Sequence, residues 1–412
     1  MPRVPGTSRR SAKAWGLALC LISSLLYVMF QGGKLSMMIF IILICLSAYL
    51  AMGNWSGIAS ARGTREVPGV SGGAPLQSGN SLKVRLRVEI PGIWPIPYVA
   101  VKDRLIMRGG SDQVYEGTFV PGWKRRGEFI YTTMPLDRGL YRFETVECAT
   151  RDIFGLFEHR GTLSLPIFFK VLPRTVEIRE WKQLGSYLQG QRRQSATTGS
   201  MRETTQVNGV RDYVYGDRIA KVHWNATART GTWKSKEFER ESLPKLMILL
   251  DRQSLGYRSK PHFELAVSAA ASIVRFTASR RIETGIVSFG NGGQFLEAPG
   301  GAAARKRIEH HLIEVQPAKD GSLAQALRAR IRLAMDGSWI VVIGPQIGED
   351  MLQLIQALKS FEAEVCHLWI DAEDRRHEPK GNWIGALRSS DVAGYRIQRL
   401  EELPMVLGGG GE

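Results

Sequence analysis

Two uninterrupted apolar runs open the chain, with a very short polar stretch between them. Residues 14–30 and 35–52 contain no charged side chain, and only the sequence QGGK separates the two runs. Each run has about the length that a helix needs to cross roughly 30 Å of hydrocarbon. The pattern therefore predicts a transmembrane helical hairpin within residues 1–55, and the lipid bilayer is the first partner that we expect.

Basic residues flank this hairpin unevenly, which predicts its orientation. Those before the first run and the one in the turn are, in order, Arg3, Arg9, Arg10, Lys13 and Lys34. Positive charge is retained on the cytoplasmic side. We therefore expect both termini in the cytosol. A second apolar run disfavours a cleaved signal peptide, and Leu19 disfavours a lipoprotein site at Cys20 because a small residue is required there.

Alternation with a period of two begins after the hairpin. Residues 56–80 are rich in Gly, Ser and Pro, so we expect a linker there. Apolar and charged residues then alternate through SLKVRLRVEI, and short runs separated by Pro/Gly turns follow up to about residue 173. This pattern predicts strands with one buried face and favours an antiparallel β-sandwich. We assign the sandwich to residues 81–175.

The sandwich segment contains one motif, RGLYRFETVECATRDIFGLF, at residues 138–157. Its glycines suit backbone conformations that other residues avoid. Phe154 is expected to join a hydrophobic corner, and Arg138 and Asp152 could pair across it. No nucleophile and base come together here, so a structural motif is favoured. Its candidate residues are Arg138, Gly139, Tyr141, Asp152, Phe154 and Gly155.

The pattern changes again beyond the sandwich. Residues 185–208 are polar and rich in Gly, Ser and Thr, which predicts a mobile loop, and we expect 176–244 to join the two folded parts. Buried-strand runs then alternate with helical patterns; the strands are 245–251, 284–290, 338–344 and 364–371, and the helices are 261–282, 302–315, 322–335 and 349–363. Such alternation predicts a doubly wound parallel sheet over 245–400, followed by a flexible tail, 401–412.

The joining segment includes a charged stretch, GVRDYVYGDRIAKVHWNATARTGTWKSKEFERE, at residues 209–241. Gly216 and Asp217 predict a turn and a helix N-cap. The short helix expected next would carry one face made of Ile219, Val222, Ala226 and Arg229. A strand over TGTWKSKEFERE would then lead toward residue 245.

The same stretch offers two chemical interpretations. His223 with Asp212 or Asp217 could be a base and its orienting partner, but no activated Ser or Cys lies nearby. A histidine buried in the core or at an interface, in one helix with Trp224, is therefore favoured. Lys and Arg beside two tryptophans could bind nucleic acid, but interleaved Asp and Glu favour ion pairs or a protein partner.

Charge and thiols narrow the choice of compartment and partner. The 412 residues carry a net charge of +16, with a pI near 9.9. This excess attracts anionic partners such as nucleic acid or a membrane surface; with a hairpin present, the membrane is favoured and no nucleic acid is expected. The cysteines at 20, 45, 148 and 366 lack the spacing of a zinc site or a disulfide framework, which is typical of a reducing compartment.

The layout of the carboxy-terminal part resembles von Willebrand factor A domains, in which an Asp-x-Ser-x-Ser loop, a Thr and a further Asp collect a divalent ion. Asp251 matches the first Asp, and Ser322 can stand for the Thr. Gln253 and Leu255 occupy the serine positions, and Pro345 the second Asp position. One carboxylate and one hydroxyl are a poor site for Mg²⁺. We therefore expect no cofactor, and Asp251 is expected to bind a loop amide or to cap the next helix.

Residues 209–241 also resemble the signature of the bacterial family called "domain of unknown function 58". His223 stands where that family usually has Asp, Thr227 where it has Ser, and Ile153 replaces Pro in the upstream D-P-F-G-L motif. The signature residues, which are candidates for interaction, are Arg211, Asp212, Tyr213, Gly216, Asp217, His223, Trp224, Ala228, Arg229, Glu237 and Phe238. The resemblance extends over nearly the whole chain.

The family resemblance implies a location, the cytoplasmic (inner) membrane of a bacterium, and it also implies partners. It suggests an adaptor that works with a MoxR-type AAA+ ATPase, and possibly beside a transglutaminase-like membrane protein, in assembly or envelope processes. We therefore expect a membrane-anchored, non-enzymatic interaction protein with no catalytic residue. The alternatives are a metal-dependent hydrolase that uses Asp251, Ser322 and His223, and a basic nucleic-acid-binding protein.

Overall fold

A computed structural model describes most of the chain and divides it into two compact units, Met1–Leu172 and Pro173–Glu412. The described residues are 7–71, 75–197, 207–214, 219, 222–238, 245–289, 294–296, 302–318, 338–360, 363–371 and 383–409. The predicted helix 322–335 and the candidate residues Gly216, Asp217 and Ser322 lie outside them.

The first unit begins with the two expected helices, α1 (Thr7–Gln31) and α2 (Lys34–Met52). The turn between them places Gly32 and Gly33 at positive φ, 57° and 105°, which glycine adopts without strain. Both helices are long and apolar enough to cross a membrane. Most of their large apolar side chains are exposed, as a lipid-facing surface requires.

Seven strands follow in two antiparallel sheets, and their apolar faces share one core. The strands are β1 (Arg62–Glu66), β2 (Lys83–Glu89), β3 (Val99–Met107), β4 (Gln113–Phe119), β5 (Arg126–Thr132), β6 (Gly139–Arg151) and β7 (Glu158–Val171). One sheet has the order β1-β2-β5 and the other β4-β3-β6-β7. The alternation in β2 buries Val84, Leu86 and Val88, as the sequence pattern predicts.

The expected linker, 56–80, is largely folded into the sandwich. Strand β1 lies within it and pairs with β2 from Arg62↔Glu89 to Glu66↔Arg85. Ile58 and Val67 are buried in the sandwich core. An edge strand draws its stability from backbone hydrogen bonds, so a segment rich in Gly and Ser can form one with few apolar side chains.

The second unit is built on a six-stranded sheet with the order β12-β11-β10-β13-β14-β15. Its described elements are α4 (Lys182–Thr197), β8 (Val207–Asp212), α5 (Trp224–Thr230), β9 (Lys234–Phe238), β10 (Lys245–Asp251), α6 (Lys260–Ser279), β11 (Glu283–Phe289), β12 (Gln294–Leu296), α7 (Ala302–Glu314), β13 (Trp339–Gly344), α8 (Glu349–Lys359), β14 (Glu364–Ile370), α9 (Trp383–Ser389), β15 (Ala393–Ile397) and α10 (Leu403–Leu407). The numbering counts one four-residue helix of the first unit, α3 (Pro68–Ser71), which lies between β1 and β2.

Five strands of this sheet are parallel, and β12 pairs antiparallel at the edge. Apolar residues of the sheet form one core on each face. The arrangement is the predicted doubly wound sheet, and it is consistent with a von Willebrand factor A-like domain.

Two expectations about flexible segments in this unit are wrong. Residues 185–197 of the expected mobile loop belong to the helix Lys182–Thr197, and Trp181 and Leu184 just before them are buried in the core. Residues 198–206 of that loop lie outside the described residues. In the expected tail, 401–412, Leu403 and Leu407 of α10 are buried in the same core. In both segments a few apolar residues at helical spacing fix a mostly polar sequence to the sheet.

Candidate functional site

Asp251 is the last residue of β10 and lies at the carboxyl edge of the sheet, where the strand order reverses. Strand β10 lies between β11 and β13, and ligands of doubly wound sheets bind beyond the strand ends at this point. The Asp251 side chain is fully buried. Its Oδ1 accepts a hydrogen bond from the Gln253 backbone N–H at 2.9 Å. Its Oδ2 has no hydrogen-bond partner within the described part of the chain.

This environment changes the acidity of the carboxyl. Burial raises the pKa of Asp251 from 3.8 to about 6, against the opposing effect of the Gln253 and Arg252 backbone N–H groups. A Cβ on Gly344, at the end of β13, would lie 2.8 Å from the Cβ of Asp251. The glycine therefore leaves the space that the Asp251 side chain occupies.

The loop after Asp251 is held by its own polar contacts. The Tyr257 hydroxyl donates to the Asp251 carbonyl at 2.8 Å, and the Ser254 N–H donates to Ala318 O at 2.9 Å. Gln253, at a serine position of the A-type loop, accepts from the Gln346 side-chain amide. Asp251 thus binds a loop amide, one of its two expected roles.

The site offers little to a metal ion. No group of three or more His, Cys, Asp or Glu that could hold one is found among the described residues. Mg²⁺ takes six oxygen ligands, and Asp251 supplies the carboxylate at this edge while Ser322 is not described. The absence of a bound cofactor stays a prediction.

A second candidate region is the signature hairpin, which comprises β8, α5 and β9. Strands β8 and β9 pair antiparallel from Val207↔Phe238 to Asp212↔Lys234, and Gly209 pairs with Glu237. Gly231 ends α5 at φ 69°, with its N–H bonded to Thr227 O. The Thr227 hydroxyl accepts from the Lys234 N–H at 3.0 Å. The residue that stands in place of the family's Ser thus ties the helix to the strand.

His223 caps this helix and does not lie inside it. Its Nδ1 accepts from the Ala226 N–H at 3.1 Å, and α5 begins only at Trp224. The predicted face through Ile219 and Val222 is therefore wrong. Asp is among the preferred N-cap residues, which explains how His223 can replace the Asp that is usual in the family.

The alternative in which His223 acts as a base with Asp212 or Asp217 gains no support from the described contacts. The Asp212 carboxylate pairs with Lys234, so it is engaged elsewhere, and Asp217 is not described. Arg211, Ala228 and Arg229 are exposed. The pairing of Asp212 with Lys234 agrees with intramolecular ion pairs as the reason for the mixed charge.

Three aromatic rings of the signature hairpin are in contact at its surface. The Trp233 ring lies 5.5 Å from Tyr213 and 6.1 Å from Trp224, centroid to centroid. Trp224 is 59% exposed and Trp233 52%. We call Tyr213, Trp224 and Trp233 the aromatic face; the sequence shows these residues but not that they meet.

The sandwich motif has a different structure from the one expected. Arg138 and Asp152 flank the 13-residue strand β6, which holds them about 45 Å apart, so they do not pair. The Asp152 carboxylate accepts from the backbone N–H of Phe154 at 2.8 Å and of Leu156 at 3.2 Å. Phe154 is 60% exposed and forms no buried corner.

The remaining motif residues are structural. The Tyr141 hydroxyl donates to Asp137 O at 3.0 Å, and burial raises its pKa to about 12. Gly155 has φ 66°, the left-handed conformation that its turn requires. Gly139 begins β6 beside the buried Arg138.

One contact was missed by the sequence patterns. Ser288 at the end of β11 is hydrogen-bonded to His311 Nε2 of α7, beside a cavity of about 400 Å³ that Arg252, Arg307 and His310 help to line. A serine beside a histidine can form a nucleophile and base. Ser288 is fully buried, so this pair fits packing better than catalysis.

Comparison with known proteins identifies the region that holds both candidate sites. The family model described as "Protein of unknown function DUF58" matches residues 209–378. These residues are similar to the DUF58 family. The matched region begins within β8 and includes the rest of the signature hairpin and Asp251. Over 344 residues the chain is also 26% identical to the uncharacterized protein YeaD of Bacillus subtilis, covering 80% of this chain and 81% of that one.

Three solved structures show weak similarity. Proximal thread matrix protein 1 of the mussel byssus is 14% identical with a TM-score of 0.30, over 41% of this chain and 47% of that one. A von Willebrand factor type A protein of Catenulispora acidiphila is 13% identical with a TM-score of 0.29, over 40% and 41%. An aerotolerance-related membrane protein of Bacteroides fragilis is 14% identical with a TM-score of 0.28, over 40% and 96%. Less than half of the mussel and Catenulispora chains is spanned.

Proposed function

We propose that this DUF58 protein is a non-enzymatic adaptor, anchored in the cytoplasmic membrane by α1 and α2, that binds a protein partner through the aromatic face. The expected partner is a MoxR-type AAA+ ATPase in the cytosol, with both termini on that side. A transglutaminase-like membrane protein is a second partner of the same assembly.

The exposed aromatic face carries this proposal. Trp and Tyr are the residues most enriched among the energetic anchors of protein interfaces. The Trp224 and Trp233 rings pack at an interplanar angle of 57°. The hairpin that carries them is braced by the His223 cap and the Thr227 hydroxyl, so little conformational entropy is lost when a partner covers them. Val214 and Ile219 are exposed in the same segment and enlarge the apolar area.

Binding of a MoxR-type ATPase from the same organism to the full chain in detergent tests the proposal. We expect the double substitution Trp224→Ala/Trp233→Ala to weaken binding by at least about tenfold, as loss of an interface anchor does. Trp123→Ala, which removes an exposed tryptophan of the sandwich, is the matched control. Equal affinity of all three proteins would contradict the use of the aromatic face.

A second candidate is metal-dependent hydrolysis at Asp251, which is favoured by an Oδ2 without a hydrogen-bond partner among the described residues. Calorimetry with Mg²⁺ and Mn²⁺ tests it, with Asp251→Asn as the control. Heat and thermal stabilisation that vanish in the variant would support this candidate. Identical unfolding temperatures with and without metal would remove it.

A further inference from the structure

Three loops at one end of the sandwich expose large apolar side chains. They span residues 91–97, 120–125 and 152–157, and we call them the membrane-proximal loops. The exposed fractions at their tips are Ile93 98%, Val120 74%, Trp123 105%, Ile153 71% and Phe154 60%. Apolar side chains grouped in this way mark a surface that another phase or partner covers.

These loops lie beside the last turn of α2. The Tyr49 ring is 5.5 Å from Trp94 and 6.2 Å from Phe154. Tyr49 falls within the apolar stretch that ends at Met52. When α2 lies in a bilayer, Trp94 and Phe154 are therefore at the depth where aromatic side chains favour the interface.

The connection between α2 and the sandwich is short and fixed. Gly57 has φ 74°, and a Cβ there would lie 1.7 Å from the Pro91 carbonyl oxygen. The Arg125 guanidinium donates to the Ile90 carbonyl at 2.9 Å, and to those of Trp94 and Ser56. One side chain thus joins two of the membrane-proximal loops to the turn that follows α2, which holds this end of the sandwich beside the helix.

The charge near the tips favours lipid over a protein partner. Lys124, next to Trp123, is exposed. A lysine beside a tryptophan suits the headgroup layer, where the ring lies among the acyl carbonyls and the ammonium group meets phosphate. The Asp152 carboxylate is satisfied by the backbone N–H groups of its own loop, so it brings no unpaired acceptor to the bilayer.

We infer that the membrane-proximal loops form a membrane-contact surface that enters the interfacial layer of the bilayer and holds the sandwich against it. This inference rests on the membrane anchoring in the proposed function. The sandwich would then act as part of the anchor and not as a freely tethered domain.

Spin labels on the full chain test the inference in vesicles of phosphatidylethanolamine and phosphatidylglycerol. Cys20→Ala and Cys45→Ala remove the exposed native thiols, while the buried Cys148 and Cys366 stay. Labels are then placed by single substitutions: Ile93→Cys, Trp123→Cys and Ile153→Cys in the membrane-proximal loops, Ser111→Cys and Met134→Cys at the opposite end, and Ile41→Cys inside α2.

We expect oxygen to relax the labels at 93, 123 and 153 several-fold more than a water-soluble nickel chelate does. At positions 111 and 134 we expect the nickel chelate to have the larger effect. The inference is overturned if the loop labels are relaxed more by the nickel chelate than by oxygen, as at position 111, or if they are shielded from both reagents. In either case a lipid-exposed label at position 41 would still support the membrane anchor. A water-exposed label at 41 overturns both the anchor and the inference. Thermal unfolding of each labelled protein checks that it is folded.

Discussion

Each unit of the protein buries an aspartate completely, but in opposite circumstances. Asp103 in the sandwich is bonded to Arg65 at 2.7 Å and to the Tyr131 hydroxyl at 2.6 Å. Asp251 in the α/β unit has one oxygen on a backbone N–H and the other without a hydrogen-bond partner in the described residues. Burial alone therefore does not mark a functional acid.

The difference between Asp103 and Asp251 is whether the buried carboxylate has a cationic partner. A buried charge that is matched by an opposite charge and by hydrogen bonds is part of the fold. A buried acid with a raised pKa at a strand end is typical of binding and catalytic sites. Arg65 is itself held over the Phe143 ring, 4.5 Å from its centroid, which underlines the structural role of the Asp103 pair.

The largest effect is expected when the pair in the sandwich is broken. Arg65→Ala leaves the Asp103 carboxylate buried without its cation, which costs about 3–5 kcal/mol. Arg87→Ala is the matched control, because Arg87 makes ion pairs with Glu66 and Glu128 on the exposed side of the sheet, where the loss is far smaller. Urea unfolding of the full chain in detergent, with amide exchange in β2 and β3, measures both. Equal losses would show that the buried pair has no special weight.

A smaller, pH-dependent effect of opposite sign is expected at Asp251. Because its pKa rises from 3.8 to about 6 on folding, the folded state binds the proton more tightly, and stability falls as the pH rises from about 4 to about 6. A shift of about two units corresponds to at most about 3 kcal/mol. Asp251→Asn should therefore be the more stable protein at pH 7–8, with the difference disappearing near pH 4.

Thermal unfolding of both proteins across this range measures the difference. Asn removes the charge at nearly constant volume and so isolates ionisation. Curves that stay parallel from pH 4 to pH 8 would mean that Asp251 has an ordinary acidity.

The smallest effect is expected in the signature hairpin, where the His223 side chain caps α5. His223→Ala should lower the local stability of α5 by about 1 kcal/mol, and His223→Asp should restore it. Amide exchange at Ala226 and its neighbours reports the change. An Asp variant as weak as the Ala variant would contradict the capping role.

The elements that the sequence predicts well are those with unbroken periodicity. The apolar runs of α1 and α2, the alternation in β2, and the buried strands β10, β13 and β14 are all found close to their predicted bounds. In each of them one solvent preference is repeated over the whole element, so the local pattern and the tertiary environment agree. The position of Asp251 at a strand end follows directly from this agreement.

The features that were missed depend on contacts between distant residues. Strand β1 is fixed by its pairing with β2 and by the Arg65–Asp103 contact, 38 residues apart, which no local pattern reveals. The His223 cap depends on where α5 begins, and helix ends are the least reliable part of a sequence prediction. The aromatic face needs the register of β8 and β9, and the exposure of Phe154 needs the turn that Asp152 builds.

The two-glycine turn between α1 and α2 is short, which limits how much of the protein can be exposed on the side of the membrane opposite the termini. In a bilayer-spanning hairpin, the residues beyond the first apolar run and before the second are Gln31 to Lys34. So few atoms present no ligand pocket, epitope or protease site to the outside. If both termini lie in the cytosol, as we propose, an extracellular signal would have to reach the protein through the lipids or through a neighbouring membrane protein.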